Sequence, residues 1–236
     1  MASTSARFPA PDGPVRKSSG EEAALYIHRL IFEGEIRPGE RVPQDEIAQV
    51  LGISRIPLRE ALIALEREGW VTLEMHRGAF VNALDEEAVR DHYALFGLIY
   101  GFAVKRAMAK SGKEFVGRLA AIGQQLQVED DPAVAGALVF DFHSTVVDAA
   151  RSPRLKVVLR AMSSLVPGDF FMVVPSALEL ELRSLSTIVR ALKRGDADKA
   201  ATEYERMMQS VGDEVVGLLE QRGLFDFEAP APVPSR

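Results

Sequence analysis

Two arginines four residues apart, Arg55 and Arg59, are the side chains of this chain whose type and spacing best suit one specific chemistry. At that spacing on a helix they project from the same face. A guanidinium carries a planar fork of N–H donors that matches the two acceptors of guanine in the major groove of DNA. The pattern predicts a helix whose first turn reads base edges, although exposed arginines are also typical of an ordinary solvated surface.

The residues around these arginines predict a tight turn between two helices. Gly52 stands where a preceding helix must stop, and Ser54 is placed to cap the next helix by accepting a hydrogen bond from a free amide. Pro57 falls in the first turn, where its missing donor costs little. The residues that can be buried behind the arginines recur at helical spacing: Leu58, Ala61, Leu62 and Leu65. With residues 42–51 as the first helix, the segment is interpreted as a helix-turn-helix.

A short hairpin is expected after the arginine helix. Gly69 ends the helical pattern, residues 70–74 begin an extended one, and residues 75–78 form a plausible turn before residues 79–81. His76 and Arg77 would lie at the hairpin tip, where they could enter the minor groove or bind phosphate. The order of helix, helix and hairpin predicts a winged helix-turn-helix.

Five segments together identify a family: Ile36–Val42, Ala48, Leu51–Leu62, Leu65–Val71 and Arg77–Val81. Over these segments the chain resembles the GntR superfamily of bacterial transcription regulators. The resemblance implies that Ser54, Arg55 and Arg59 contact operator DNA and that Gly78 lies in the minor groove. Some relatives carry a further arginine where this chain has Asp45, so the operator would be read with fewer base contacts. The predicted DNA contacts are Arg37, Ser54, Arg55, Ile56, Pro57, Arg59, His76, Arg77 and Gly78.

Length and charge set limits on this interpretation. A chain of 236 residues can form two modest domains, each with its own core. The net charge of −6, and of −2 over residues 1–84, argues against a generally basic nucleic-acid binder. We therefore expect a local positive stripe to contact DNA, which could be supplied by Arg37, Arg41, Arg55, Arg59 and Arg77. Operator affinity should fall steeply with salt, and affinity for random duplexes should be poor.

Composition also indicates the compartment. Cysteine is absent, which excludes disulfides and cysteine nucleophiles and suits a reducing cytoplasm. No apolar run reaches membrane-spanning length, and the N-terminus lacks the apolar core of a secretion signal. We expect a cytoplasmic protein that does not bind membranes, with a disordered arm at residues 1–19.

The second half of the chain is predicted to be wholly helical. Asp85, Asp131 and Asp196 are placed to cap helices, and a break is expected at Gly112. We expect a mainly α protein: a winged helix-turn-helix domain of three helices and a hairpin at residues 20–84, a bundle of six or seven helices at 85–225, and a flexible tail at 226–236. Through looser motifs, the bundle resembles the FCD effector domain of the FadR branch of the superfamily.

Many FCD domains hold a divalent metal through an acidic residue and three histidines, and the resemblance implies where those ligands would stand. His143 matches the first histidine, whereas Val139, Leu185 and Met207 occupy the other positions. Aliphatic and thioether groups cannot replace the donors that such a metal needs. We expect no metal and no other cofactor, with His92 as the one side chain that could rescue weak metal affinity.

The same resemblance implies an effector chamber. An arginine and a glutamate face the cavity in the family, and those positions match Phe96 and Tyr100, so we expect an uncharged or weakly polar organic effector. His143 and Tyr100 would orient its polar end. The predicted lining is His92, Phe96, Tyr100, Val139, His143, Leu185, Tyr204 and Met207. Such residues at helical spacing are also typical of a packed core.

These observations predict a transcriptional regulator that binds double-stranded operator DNA as a homodimer. One recognition helix would enter each half of an inverted repeat, and a small organic effector would relieve repression. Two alternatives stay open: a regulator without ligand whose helical half serves only dimerisation, and a metal-dependent carboxylate sensor. An enzyme is disfavoured, since the sequence has no phosphate-binding glycine loop, no histidine pair at metal-ligand spacing and no serine elbow.

Overall fold

The structure is a computed structural model that describes residues 18–162 and 170–225. Its elements are α1 (Ser19–Phe32), α2 (Gln44–Leu51), α3 (Arg55–Arg67), β1 (Val71–Glu74), β2 (Gly78–Val81), α4 (Glu86–Leu126), α5 (Pro132–Ala149), α6 (Pro153–Met162), α7 (Phe170–Val173), α8 (Pro175–Lys193) and α9 (Ala197–Gln221). The predicted mainly helical fold with a hairpin wing is confirmed. Most of the predicted arm, residues 163–169 of the predicted bundle, and the predicted tail from residue 226 lie outside the described residues.

Helix starts follow their capping side chains. Asp85, Asp131 and Asp196 accept backbone N–H hydrogen bonds at 3.1, 2.8 and 2.9 Å, as the sequence predicts. Ser18 forms a capping box with Glu21, in which each side chain accepts the other residue's backbone N–H. The predicted arm is therefore too long at its end, because residues 18 and 19 cap and begin α1.

The winged half is built from α1, α2, α3 and the hairpin. Gly52 adopts the left-handed conformation, with φ of 63°, that closes α2 and turns the chain into α3. The two strands pair antiparallel, with Val71 opposite Val81 at the base of the wing. Trp70 precedes β1 and is 2% exposed, so the wing starts from a fixed point in the core.

In the helical half, α4 packs along α9. The predicted break in α4 is confirmed at Gly112, whose φ of 46° and ψ of −130° interrupt the helix. A Cβ atom on Gly97 would lie 2.8 Å from the Cα of Glu205 in α9, closer than any real contact. The two helix backbones approach this closely only because position 97 carries no side chain.

The core of the winged half continues into the helical half. Apolar side chains of α9 and of the segment after it complete the cluster around α1 and α3: Val211, Val215, Val216, Leu219 and Leu224. Arg222 Nη1 also donates a 2.6 Å hydrogen bond to the carbonyl oxygen of Phe32 at the end of α1, and the guanidinium lies over the Phe32 ring. The structure has one apolar cluster in each half, and α9 contributes side chains to both.

Candidate nucleic-acid interface and effector chamber

The first turn of α3 presents the predicted reading face to solvent. Arg55, Ile56 and Arg59 are exposed, and Ile56 leaves 72% of its surface accessible. Leu58 on the opposite face is 1% exposed and fixes the helix against the winged core. The exposed Ile56 side chain can make an apolar contact with a thymine methyl group, and the guanidinium groups of the two arginines beside it can donate hydrogen bonds to guanine.

Two contacts at this turn differ from what the sequence predicts. Ser54 does occupy the position before α3, but its hydroxyl accepts no capping hydrogen bond and stays exposed. Arg55 Nη2 lies 3.1 Å from a carboxylate oxygen of Asp45 in the first turn of α2, with both side chains at least 80% exposed. Asp45 therefore forms an exposed and individually weak ion pair with one of the predicted reading side chains.

The wing tip carries charge in a strained turn. His76 has φ of 62°, in the left-handed region that non-glycine residues rarely adopt, and its side chain is exposed. Arg77 forms an ion pair with Glu74, and its guanidinium lies 5.2 Å from the centre of the Phe80 ring. These contacts direct the Arg77 side chain along the wing, and binding phosphate would require it to leave Glu74.

Arg41, one of the arginines expected to form the positive stripe, lies against the wing. Its backbone bridges to Phe80, and its guanidinium covers Gly78, so that a Cβ atom there would lie 2.8 Å from Arg41 Nε. Gly78 has φ of 110°, a backbone conformation that favours glycine. Arg37 is exposed in the turn that leads to Arg41. None of the nine predicted DNA contacts is buried.

A buried acid–base pair lies at the centre of the helical half. His143 Nε2 on α5 is 2.7 Å from Glu181 Oε2 on α8, and the two side chains are 11% and 5% exposed. The Tyr204 hydroxyl lies 3.4 Å from the other ring nitrogen of His143. Glu181 could not be predicted from the sequence, because its partner is 38 residues away and their contact depends on how α5 meets α8.

Tyrosine rings surround this pair. Tyr100 stacks on Tyr204 with ring centres 5.4 Å apart, and it also contacts His143 at 5.0 Å. Burial, and then the negative charge of Glu181, raise the pKa of Tyr93 and of Tyr100 well above the ordinary value. Both phenols therefore stay neutral and can donate hydrogen bonds.

A cavity of about 450 Å³ opens beside the pair, a size typical of small-molecule sites. Its walls come mainly from α4, α5 and α6, with the aromatic pair of α7, one residue of α8 and two of α9. The lining includes Tyr93, Phe96, Tyr100, Phe140, His143, Lys156, Arg160, Phe170, Phe171, Glu181 and Met208. Three residues of the predicted chamber are thus brought together in its wall: Phe96, Tyr100 and His143.

Five residues of the predicted chamber are placed elsewhere. Val139, Tyr204 and Met207 are 0% exposed and belong to the packed core behind the wall. Leu185 is 2% exposed and borders a different depression. His92 packs on the Phe96 ring outside the cavity lining, and burial lowers its pKa to about 4. Helical spacing identified their inward face correctly, but not how deeply neighbouring helices would cover it.

The residues at the family's metal position do not suit a metal. His143 is the one imidazole there, and its Nε2 is engaged by Glu181. Val139 and Met207 offer no oxygen or nitrogen donor. Across residues 18–162 and 170–225, no three His, Cys, Asp or Glu side chains form a group that could hold a metal ion. Among the helices of those same ranges, none combines the length and apolarity that crossing a bilayer requires.

Known proteins share both halves of this chain. Residues 20–81 match the family described as bacterial regulatory proteins, gntR family, and residues 86–210 match the FCD domain. An uncharacterized HTH-type transcriptional regulator from Mycobacterium tuberculosis is 36% identical over 218 residues, which cover 91% of this chain and 88% of that protein. The Nta operon transcriptional regulator of Aminobacter aminovorans is 30% identical over 132 residues, covering 54% and 61% of the two chains.

Solved structures share the fold at low sequence identity. Escherichia coli McbR/YncC has a TM-score of 0.61 at 16% identity, covering 87% of this chain and 99% of its own. A putative GntR transcriptional regulator from Rhodococcus sp. RHA1 has a TM-score of 0.55 at 22% identity, covering 85% and 99%. The sequence relatives are named as transcriptional regulators and not as enzymes. The chain therefore belongs to the gntR family of bacterial regulatory proteins and joins a DNA-binding winged helix-turn-helix to an FCD domain.

Proposed function

We propose that this regulator represses transcription in the cytoplasm by binding an inverted-repeat operator as a homodimer. A small organic effector in the cavity beside His143 and Glu181 releases the protein from the operator. The observation that carries the DNA-reading part is the exposed first turn of α3, where Arg55 and Arg59 project away from a buried Leu58. Arg59 has no ion-pair partner among the residues that the structure describes, so its fork is available to a base.

The experiment that tests this reading starts with selection of bound duplexes from a randomised library, followed by anisotropy titrations of the selected operator. Arg59→Ala should weaken operator binding by about 1–3 kcal/mol and relax the preference at one base pair in each half-site. Arg67→Ala is the matched control, because it removes an exposed arginine from the last turn of the same helix.

The two variants lose the same charge, so they separate base reading from general attraction to phosphate. Arg67→Ala should lower affinity for all duplexes slightly and equally. Equal effects of the two variants on the selected operator, with unchanged base preferences for Arg59→Ala, would refute the reading role.

An apolar stripe on α4 supports a dimer. Leu95, Leu98 and Phe102 recur at helical spacing and are 51%, 54% and 56% exposed. Three large apolar side chains in one exposed row favour coverage by a second copy, because a two-fold axis would match each row to its mate. An inverted repeat requires that same symmetry.

Charge placed in the stripe should separate the two copies. Leu98→Glu should shift the sedimentation coefficient from dimer toward monomer and weaken operator binding by at least tenfold. Val128→Glu is the control, since Val128 is 81% exposed after the end of α4 and away from the stripe. A dimer that persists in Leu98→Glu at micromolar concentration would show that another face joins the copies.

The cavity favours an effector over a helical half that serves only dimerisation. An open volume beside a hydrogen-bonded polar pair is the usual form of a small-molecule site. The positions of the family's other metal ligands carry Val139, Leu185 and Met207, so the metal-dependent carboxylate sensor is not favoured. Effector coupling requires that the ligand bind the DNA-competent and incompetent arrangements with different affinity.

A further inference from the structure

Glu181 is a carboxylate in the wall of a mainly apolar cavity, where packing alone does not explain its presence. Its side chain is 5% exposed, it borders the cavity, and its hydrogen bond to His143 uses one oxygen. A carboxylate can accept about four hydrogen bonds, so acceptor positions remain open toward the cavity. Burial of such a group is unfavourable unless donors or a counter-charge compensate for the lost water.

His143 engages one oxygen of Glu181 through Nε2, and its Nδ1 lies 3.4 Å from the Tyr204 hydroxyl. A neutral imidazole would donate from Nε2 and accept at Nδ1, which fits both contacts. The tyrosines around the carboxylate are neutral. With that tautomer, an ionised Glu181 would have no buried cation beside it among the residues that the structure describes.

The basic residues of the cavity lie at its solvent side. Lys156 Nζ is 2.5 Å from the carboxylate of Asp148, and these side chains are 53% and 61% exposed. Arg160, one turn further along α6, is also exposed. Both side chains lie at the exposed edge of the cavity, whereas Glu181 is buried among the rings.

Aromatic rings line the space between the edge and Glu181. Phe96, Tyr100, Phe170 and Phe171 border the cavity, and their faces favour apolar groups and cations over anions. A buried carboxylate combined with several aromatic walls is the arrangement that suits an organic ammonium group.

We infer that the effector is a primary amine bound in its protonated form, with the ammonium donating to Glu181 and its carbon body held among Phe96, Tyr100 and the α7 rings. This inference rests on the proposed role of the cavity as the effector site. It also revises the uncharged effector that the sequence predicts, because the residue responsible for the change, Glu181, could not be placed from the sequence.

The test is a thermal-shift and calorimetric comparison of compounds matched in shape but not in charge. One set is 2-phenylethylamine, 2-phenylethanol and phenylacetate, and an aliphatic set is hexylamine, hexanol and hexanoate. We expect the amines to raise the melting temperature and to bind about tenfold or more tightly than the alcohols, because a charge-assisted hydrogen bond is the stronger one. The acids should bind most weakly.

Two variants of α8 assign the effect to one carboxylate. Glu181→Gln keeps the shape of the side chain and should remove the advantage of each amine over its alcohol. Glu179→Gln removes an exposed carboxylate, 78% accessible, from the same helix and should leave that advantage intact. If Glu181→Gln does not fold, the order of amine, alcohol and acid in the unaltered protein decides the question.

Three outcomes would overturn the inference: acids that bind more tightly than amines, amines that do not bind at millimolar concentration, or an amine advantage that survives in Glu181→Gln. Operator titrations with each compound separate this inference from the proposed function. Amines that bind without changing operator affinity would support the ligand class and refute the effector role of the cavity. An acid that releases the operator would refute the ligand class and support the effector role.

Discussion

Replacement of Gly97 by alanine should destabilise the protein, although alanine is the better helix former. The added Cβ would lie 2.8 Å from the Cα and 3.2 Å from the carbonyl oxygen of Glu205, and 3.3 Å from the Cβ of Met208. Two of these three atoms belong to the α9 backbone, which cannot rotate away as a side chain can. The substitution therefore forces α4 and α9 apart.

The magnitude follows from two opposing contributions. Overpacking of a closed contact costs about 1–3 kcal/mol, and a backbone clash belongs to the upper part of that range. The gain in helix propensity from glycine to alanine is about 1 kcal/mol. The expected net loss is about 1–2 kcal/mol in the free energy of unfolding, with a weaker ligand response because Met208 borders the cavity.

Gly117→Ala is the matched control on the same helix. A Cβ at position 117 would meet nothing within 4 Å, and the residue is exposed, so only the propensity gain of roughly 0.5–1 kcal/mol should remain. Urea unfolding followed by circular dichroism would compare both variants with the parent protein. A Gly97→Ala protein at least as stable as Gly117→Ala would refute the reasoning on close approach.

Three further predictions concern single contacts. Asp45→Ala should change the free energy of unfolding by less than about 1 kcal/mol, because the ion pair between Asp45 and Arg55 is exposed. The same variant should raise affinity for all duplexes and lower the ratio of specific to random binding in anisotropy titrations. An unchanged ratio would contradict a role of Asp45 in specificity. Burial lowers the pKa of His92 from 6.5 to about 4, so the stability that His92 contributes is complete above pH 6.5 and is lost as the pH falls toward 4. In His92→Phe the urea midpoint of unfolding should therefore depend less on pH between 6.5 and 4. An equal pH dependence of the midpoint in the variant and the parent protein would argue against this prediction. Arg222→Ala should accelerate amide exchange at the end of α1, since the hydrogen bond to Phe32 is lost, and equal exchange rates would show that the apolar contacts suffice.

Local features of this fold could be predicted from the sequence because their causes lie within a few residues. The caps at Asp85, Asp131 and Asp196, the turn at Gly52 and the break at Gly112 each depend on one side chain or one backbone conformation. The exposed arginine face of α3 also follows from spacing alone. These predictions agree with the structure for that reason.

The features that escaped prediction depend on contacts between distant elements. The pairing of His143 with Glu181 joins residues 38 positions apart, and the approach of Arg41 to Gly78 depends on how the chain before α2 meets the wing. Periodicity placed Val139 and Met207 on an inward face, but depth behind a cavity wall depends on the neighbouring helix. Ser54 shows the converse limit, since the predicted position is correct but its hydroxyl forms no cap.

The apolar surface shared between the winged half and the end of α9 limits how this protein can be divided. A fragment that ends after the wing would expose the side chains that normally cover Val211, Val215 and Leu219, and we expect it to aggregate or to melt at a much lower temperature. Exchange of DNA-binding modules between relatives would need the last turns of α9 to be exchanged with them. A chimera can therefore combine the operator preference of one relative with the ligand preference of another only if its winged half still packs against the end of its α9.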